Sequence, residues 1–341
     1  MKLTAGKMWG LKRIADGHGR FSIVAADQRP PIEGLVADRR GGEAPWQDVA
    51  DVKRLIVEQF APMTSAVLVD PYYGFPASYD VVDPSRGLLL TLESSRFAED
   101  AQGRRSSEIE DWSVEKIKRT GADAVKALAW FRPDGAIEAI EHQQRFVEAI
   151  GAACRRFDIP FVFELLDYPL ADDDATAPQR RTDRVIASVE AFNDPRFGID
   201  LFKLESPILP SDVPEPGASA SDEVAEAFAR LDEASSRPWV MLSAGARPDE
   251  FFNVLHYAYT AGASGYLAGR AIWWNGFQRF PDLDAFRAEL STAGTRYVER
   301  LNDLTNDAAL PWFEHRCYGD NGPELDDAAS TFRNSYSGFD R

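Results

Sequence analysis

The sequence is poor in the residues on which disulfide and metal chemistry depend. It holds two cysteines and four histidines in 341 residues. Two cysteines are too few for a disulfide framework, and Cys154 and Cys317 lie in no C-x-x-C pair, so both are predicted to be structural. The histidines, at positions 18, 142, 256 and 315, show neither H-x-H nor H-E-x-x-H spacing. We therefore expect no metal site and disfavour a metal-dependent mechanism.

Long apolar runs and clustered positive charge are also lacking. No apolar run approaches the roughly 20 residues of a membrane span, and the first eight residues lack the apolar core of a signal peptide. The formal net charge is −17, with no stripe of lysine and arginine to offset it. Such a surface repels a phosphate backbone. We expect a cytoplasmic protein without nucleic-acid or membrane partners, in which an anionic ligand needs a local positive pocket.

The chain contains, instead, a regular alternation of short apolar runs with amphipathic segments. Residues 48–60 and 137–157 are the clearest helices, with apolar side chains on one face. Eight runs are predicted as strands: 21–26, 66–70, 87–93, 124–128, 161–166, 200–206, 239–242 and 265–268. Eight strands alternating with about eight helices are the pattern of a parallel (β/α)8 barrel.

One domain accounts for this alternation. Residues 1–307 are predicted to form the barrel with an N-terminal helix, and the final barrel helix is predicted over 284–306. The Pro-, Ser- and Gly-rich stretch 206–221 has the composition of a linker, but we interpret it as a loop because the alternation resumes directly after it. Residues 308–341 form an aromatic tail, predicted to pack on the barrel or on a neighbouring subunit of a homo-oligomer.

Three of the predicted strands carry a charge in an apolar interior. They contain Lys126, Glu164 and Lys203, and burying such groups is costly unless they have partners. A single pair of this kind is more typical of a structural ion pair, whereas three charged strand interiors favour a functional site. Barrel active sites lie at the C-terminal ends of the strands, where Asp27 ends the first strand before Pro30 and Pro31 break it.

The pair of lysines suggests imine chemistry. Apolar surroundings and a second ammonium such as Lys126 would lower the pKa of Lys203 and leave its amine partly neutral, able to attack a ketone. Either lysine is a possible nucleophile, and Lys203 is favoured, partly on the resemblance given below. The iminium withdraws electrons, so the bond between the third and fourth carbons of a ketose can break when Glu164 removes the proton of the C4 hydroxyl. Asp27 would orient hydroxyls or assist proton transfer.

Small residues follow strands seven and eight, where barrels commonly bind phosphate. Ser243, Gly245 and Gly269 let backbone N–H groups approach an anion, and Arg270 adds a fixed positive charge. Further substrate contacts are predicted at Gln28, Arg29 and Glu205, the last of which shares a strand face with Lys203. Arg29 and Arg247 are candidates for holding a second anionic group, with a surface salt bridge as the alternative for Arg247.

The same segments resemble a known family. Eight stretches, in the expected order between Phe21 and Arg270, are similar to the class I tagatose-1,6-bisphosphate aldolases and the related sulfofructose-phosphate aldolases. They are Ala25–Arg29, Ala66–Pro71, Gly87–Leu90, Val125–Leu128, Phe163–Leu166, Phe202–Glu205, Leu242–Gly245 and Leu267–Arg270.

The resemblance implies a role for each of the matched residues. Lys203 would be the Schiff-base lysine, with Lys126 and Glu164 assisting proton transfer and Asp27 contacting the substrate. Ser243, Gly269 and Arg270 would hold a phosphate. The substrate would be a phosphorylated ketose, the products dihydroxyacetone phosphate and an aldehyde, and no cofactor would be needed.

The sequence departs from the family pattern around the predicted substrate tail. Pro30 and Pro31 follow the Asp27–Arg29 segment, and Trp130, Trp273 and the 171–182 loop are distinctive. A second phosphate, a sulfonate or an uncharged sugar end therefore remain open, and a sulfofructose-phosphate aldolase is the alternative enzyme. A non-catalytic sugar-phosphate-binding regulator, and a phosphate-binding isomerase or decarboxylase without a covalent intermediate, are the alternatives outside this chemistry.

Overall fold

Eight parallel strands close into a barrel in the computed structural model, which describes residues 1–171, 173–218, 221–336 and 338. The strands follow one another around the barrel in chain order. They are β1 (Phe21–Ala25), β2 (Ala66–Val69), β3 (Gly87–Thr91), β4 (Ala124–Trp130), β5 (Phe161–Leu166), β6 (Leu201–Leu204), β7 (Trp239–Met241) and β8 (Gly265–Ala268). The predicted (β/α)8 barrel is confirmed.

Helices lie outside the barrel and connect its strands. The described residues form helices over Ala5–Ile14, Pro30–Arg40, Trp46–Phe60, Gly74–Ser78, Val114–Arg119, Ile137–Arg156, Arg181–Glu190, Ser221–Ala234, Pro248–Ala261, Arg270–Phe277, Leu283–Glu289, Thr295–Ala308 and Phe332–Ser335. Ser113 caps the helix Val114–Arg119, because its side chain accepts a hydrogen bond from the Lys116 amide. None of these helices is both long and apolar enough to cross a bilayer.

Two sequence expectations on the helices need correction. The proline pair was expected only to break the first strand, yet a helix begins at Pro30, because proline is well tolerated at the first helical position, where the missing N–H has no partner to lose. The final helix predicted over 284–306 is two helices separated by a π-helical turn, Leu290–Gly294. At that turn a side chain on Gly294 would approach a ring carbon of Phe60 to 2.9 Å, so the backbone there packs directly on a neighbouring helix.

Strand alternation sorts the barrel side chains into two cores. Along β6, Phe202 and Leu204 face the helices and Leu201 faces the lumen. The lumen-facing residues of β4 and β5 at the same end are Ala124 and Val162. Two residues further along each of these strands, the lumen side chains become charged. They are Lys126, Glu164 and Lys203.

The tail closes the opposite end of the barrel. Trp312 and Tyr318 are buried in the core beneath the lumen, together with the N-terminal helix. Lys2–Leu3 forms a short parallel sheet with Glu324–Leu325, so the first residues of the chain pair with the tail. Residues 337 and 339–341, within the predicted 308–341 tail, and Asp172, in the 171–182 loop, lie outside the described residues.

Candidate active site

Lys203 lies buried at the C-terminal end of β6, with 4% of its surface exposed. Its Nζ donates to Glu164 Oε2 at 2.8 Å. Glu164 is the direct partner of Lys203 across the β5–β6 pairing, so strand register alone brings the two side chains together on the lumen face. The predicted meeting of these residues therefore follows from the backbone.

Lys126 lies beside this pair and is surrounded by three carboxylates. Its Nζ lies 2.7 Å from Glu164 Oε2, the oxygen that also accepts from Lys203. It donates to Asp27 Oδ2 at 3.0 Å and to Glu93 Oε1 at 2.7 Å. The structure thus brings Asp27, Lys126, Glu164 and Lys203 into one cluster, with Glu164 as the bridge between the lysines.

The charges of this cluster stabilise one another. Burial opposes ionisation of Lys126, but Asp27, Glu164 and Glu93 together raise its pKa above the ordinary lysine value. Burial likewise opposes ionisation of Asp27 and Glu164, and the attraction of Lys126 and Lys203 outweighs it, so the pKa of each carboxyl is lowered. Lys126 is therefore a fixed cation, and Asp27 and Glu164 are carboxylates at neutral pH.

Glu93 is a member of this cluster that the sequence analysis did not single out. It is buried just past β3, accepts from Thr91 Oγ1 at 2.6 Å and pairs with Lys126. Arg29 donates to its backbone oxygen at 2.9 Å and to its Oε1 at 3.3 Å. The available signal was a carboxylate after the apolar run Gly87–Leu92, the same pattern that identified Asp27.

The loops after β7 and β8 form a separate, positively charged corner. Ala244 and Gly245 have φ of 48° and 81°, a left-handed turn that exposes backbone groups after the buried Ser243. A side chain on Gly245 would lie 3.0 Å from Cζ of Arg270. One on Gly269 would lie 2.6 Å from the Ala25 oxygen, so both positions require glycine.

Arg270 is the unpaired cation of this corner. The half-buried side chain has no hydrogen bond or ion pair to any residue that the structure describes. Burial lowers its pKa, and Glu164 and Asp27 act in the opposite direction from across the lumen. A desolvated guanidinium without a partner is suited to bind an anion.

The other predicted contacts lie at the mouth but have different surroundings. Gln28 is half-buried and its Oε1 has no partner among the described residues. Arg29, expected to hold an anionic group, is instead buried against Glu93. The Glu205 carboxylate accepts a hydrogen bond from the Asp167 amide and forms an ion pair with Arg181. Arg247 forms the surface salt bridge given as its alternative, 2.7 Å from Glu250, with 82% of its side chain exposed.

A second network lies above the buried lysines at the ends of β4, β5 and β6, and of its members only Glu205 was predicted from the sequence. We call it the rim network, and its members are Arg132, Asp134, Asp167, Asp173, Arg181, Arg184 and Glu205. Arg132 lies 2.7 Å from Asp173, and Arg184 lies 2.8 Å from Asp167. The network contains three arginines and four carboxylates, so it carries no surplus positive charge. Its partners come from distant segments, and sequence alone could not pair them.

No group of three or more histidine, cysteine or acidic residues in the described part of the chain is arranged to hold a metal ion. Both cysteines are free; burial raises the pKa of the Cys154 thiol and that of Cys317, the latter to about 11. Neither belongs to the clusters above.

Comparison with known proteins adds a family assignment to this geometry. The model of the family described as DeoC/LacD family aldolase matches residues 21–275. Two relatives are named tagatose 1,6-diphosphate aldolase. The one from Listeria monocytogenes is 33% identical over 324 residues, covering 92% of this chain and 95% of its own. The one from Streptococcus mutans is 32% identical over 325 residues, covering 92% and 100%.

Solved structures share the barrel at lower sequence identity. The fructose-bisphosphate aldolase of Plasmodium falciparum has a TM-score of 0.68 at 11% identity, with 91% of this chain and 97% of that chain covered. An archaeal fructose-1,6-bisphosphate aldolase, solved with its catalytic lysine bound to a carbinolamine intermediate, has a TM-score of 0.52 at 19% identity, covering 87% and 98%. These likenesses concern the fold.

Proposed function

Because the chain belongs to the DeoC/LacD family of aldolases, we propose that it is a class I aldolase that cleaves a phosphorylated ketose through an imine on Lys203. The observation that carries the proposal is the position of the Lys203 Nζ, buried and 2.8 Å from the Glu164 carboxylate. A nucleophile within hydrogen-bond reach of a base is the arrangement that covalent catalysis needs. No resident cofactor takes part in the proposed reaction.

Imine formation uses both members of this pair. Glu164 first takes a proton from the Lys203 ammonium. The neutral amine then attacks the C2 carbonyl, a C–N bond forms as the carbonyl π bond breaks, and the surplus proton of the nitrogen passes to the oxygen to give a carbinolamine. Glu164, having accepted the proton that Lys203 lost, returns it to the carbinolamine hydroxyl, which leaves as water. Lys126 stays charged throughout, because Asp27 and Glu93 hold its ammonium in place, and it stabilises Glu164 as a carboxylate.

Cleavage then uses the iminium as the electron acceptor. Glu164 takes the proton of the C4 hydroxyl, the C3–C4 bond breaks, and the electron pair passes to the iminium nitrogen. The aldehyde leaves and an enamine remains on Lys203. Protonation at C3 and hydrolysis release the ketone fragment, which is dihydroxyacetone phosphate when the phosphate lies on C1. Asp27, 3.0 Å from Lys126, is proposed to orient the substrate hydroxyls.

The phosphate is assigned to the corner formed by Ser243, Gly245, Gly269 and Arg270. This assignment is supported by the unpaired guanidinium of Arg270 and by two glycines that keep the backbone accessible. The corner belongs to β7, the neighbour of β6 in the barrel, and to β8, which pairs with β7 on its other side. A phosphate held there would present C2 of a short ketose to Lys203.

Borohydride trapping tests the proposal. Incubation with dihydroxyacetone phosphate and sodium borohydride is expected to give a reduced adduct, located by mass spectrometry on the peptide that contains Lys203. Omission of either reagent is the control. Thermal stabilisation by dihydroxyacetone phosphate, with neither an adduct nor turnover of a ketose phosphate, would instead favour a regulator. Turnover without an adduct would indicate a reaction with no covalent intermediate.

Arg270→Ala is expected to raise KM for the ketose phosphate by about 10- to 100-fold, the usual weight of a hydrogen bond to a charged group. The effect on kcat should be smaller, since the group is bound before and during the reaction. Steady-state kinetics give KM, and inhibition by inorganic phosphate gives an inhibition constant. Both constants should rise together in the variant.

Arg247→Ala is the matched control, because it removes an exposed arginine of the same region that is paired with Glu250. It should change KM by less than about twofold. Equal losses in the two variants would show that Arg270 is not the phosphate ligand.

A further inference from the structure

We propose, on the basis of the function proposed above, that the mouth of this barrel selects a ketose with a single phosphate and an uncharged distal end. The inference concerns the part of the substrate that leaves as the aldehyde. Most charged side chains around the lumen already have a partner of opposite charge, whereas several buried polar atoms have no hydrogen-bond partner.

At the level of the catalytic lysines, the neighbouring cations other than Arg270 face buried carboxylates. Lys126 contacts three of them and Lys203 one. Arg29 lies 3.3 Å from Glu93 and is 4% exposed. A dianionic group bound here would have to displace one of these carboxylates, which would be left buried without its partner, at high cost.

In the rim network, above the level of the lysines, the cations are likewise paired with carboxylates. Arg181 pairs with Glu205 and lies 3.6 Å from Asp167, which also pairs with Arg184. Arg132 contacts Asp134 and Asp173. Three arginines thus face four carboxylates, and a second phosphate or a sulfonate would meet a net negative rim. Unfavourable charges of this kind are a known means of rejecting the wrong partner.

Arg270 is therefore the cation at the mouth that is both partly buried and unpaired among the described residues, and the proposed function already assigns it to one phosphate. Arg96, on the loop after β3, is the other arginine to consider. Its side chain is exposed, close enough to Tyr73 to influence the pKa of that phenol. A solvated arginine of this kind contributes little to binding, and the experiment below includes it.

The unpartnered atoms at the mouth are suited to neutral hydroxyl groups. Ser206 is 2% exposed and its Oγ has no partner among the described residues. Gln28 Oε1 and the Nε atoms of Arg29 and Arg181 also lack a hydrogen-bond partner among the described residues. Buried polar atoms in native proteins are nearly always hydrogen-bonded. Two of these atoms are acceptor oxygens, one of them a hydroxyl that can also donate, and two are N–H donors. All four are enclosed, so a substrate reaches them only when the surrounding side chains shift, and neutral hydroxyls would then satisfy this mixed set better than a compact anion.

Matched substrate pairs test the inference. The value of kcat/KM is measured for tagatose 1-phosphate against tagatose 1,6-bisphosphate, and for the fructose pair, so that stereochemistry at C4 does not decide the result. We expect the monophosphate of the better-accepted sugar to be preferred by about 10-fold or more. A preference for the bisphosphate would overturn the inference, and its loss in Arg96→Ala would place the second phosphate at Arg96.

One substitution in the rim network should increase the use of a bisphosphate substrate. Glu205→Gln removes one rim carboxylate while keeping an oxygen to accept from the Asp167 amide, so Arg181 loses its closest carboxylate and keeps only the longer contact with Asp167. The bisphosphate-to-monophosphate ratio of kcat/KM should rise by about 10-fold. Asp80→Asn removes the same charge from the exposed pair with Arg54 and should leave the ratio unchanged. An unchanged ratio in Glu205→Gln would refute rejection by the rim.

The outcome can be separated from failure of the proposed function. Dihydroxyacetone phosphate carries one phosphate whichever ketose is the substrate, so trapping on Lys203 does not depend on the distal end. An adduct together with a bisphosphate preference would overturn the single-phosphate inference alone. Absence of the adduct would overturn the aldolase proposal itself.

Discussion

Replacement of Lys203 by alanine is expected to lower kcat/KM by about 10⁴-fold or more, the scale of loss when a covalent nucleophile is removed. The reason is that Glu164 can still move protons and Lys126 can still stabilise charge, but neither forms the imine that accepts the electron pair of the C3–C4 bond. The measurement is ketose cleavage coupled to detection of dihydroxyacetone phosphate, together with borohydride trapping on the variant.

Two controls make the result specific. Lys12→Ala changes an exposed lysine of the N-terminal helix and should retain full activity. Incubation of the wild-type enzyme with EDTA should leave its rate unchanged. Retention of activity in Lys203→Ala with an adduct on Lys126 would move the imine to that lysine, and activity that persists without any adduct would refute Schiff-base catalysis.

Glu164→Gln is expected to lower kcat by about 10²- to 10⁴-fold, the range for a general acid–base group. The variant keeps the shape of the side chain and an oxygen facing Lys203, but it cannot take the proton of the C4 hydroxyl. Formation of the carbinolamine should slow as well, and single-turnover experiments that separate imine formation from cleavage would measure the two losses.

The pH profile of the wild-type enzyme gives an independent readout. Burial opposes ionisation of Glu164, but Lys126 and Lys203 lower its pKa below the ordinary glutamate value. The base is therefore ionised throughout the neutral and mildly acidic range, and the acid limb of kcat/KM assigned to it should lie below about 4.3, the ordinary glutamate pKa. The same lowering means that Glu164 contributes to stability above its unfolded-state pKa and loses that contribution as pH falls through the folded value.

Glu93→Gln changes the charge around Lys126 without removing Glu164, the proposed base. It removes a carboxylate from Lys126 while leaving the contact between Lys203 and Glu164 intact. A clearly smaller loss than in Glu164→Gln is expected, since Asp27 still neutralises Lys126. Equal losses would indicate that the role of Glu164 is electrostatic and that another group is the base.

The sequence was sufficient for the barrel and for the centre of the site because both depend on local patterns. Alternation of inward and outward side chains on β4, β5 and β6 fixed the face of Lys126, Glu164 and Lys203, and parallel strands with short connections left one way to bring them together. The glycines after β7 and β8 were visible because few other residues fit a left-handed turn or a close backbone approach.

The remainder depends on contacts between distant segments. Glu93 became part of the site only through Lys126 and Arg29, which lie 33 and 64 residues away. Arg181, the first residue of the helix Arg181–Glu190, joins the site through Glu205 and Asp167. The helix at Pro30 was missed for another reason, since the same residue that ends a strand can begin a helix.

The pairing of Lys2–Leu3 with Glu324–Leu325 bears on how the chain is made. A ribosome releases the N-terminal strand first, yet its partner is synthesised more than 300 residues later. This small sheet can therefore form only after residues 324–325 have emerged, and until then the strand Lys2–Leu3 is an unpaired edge.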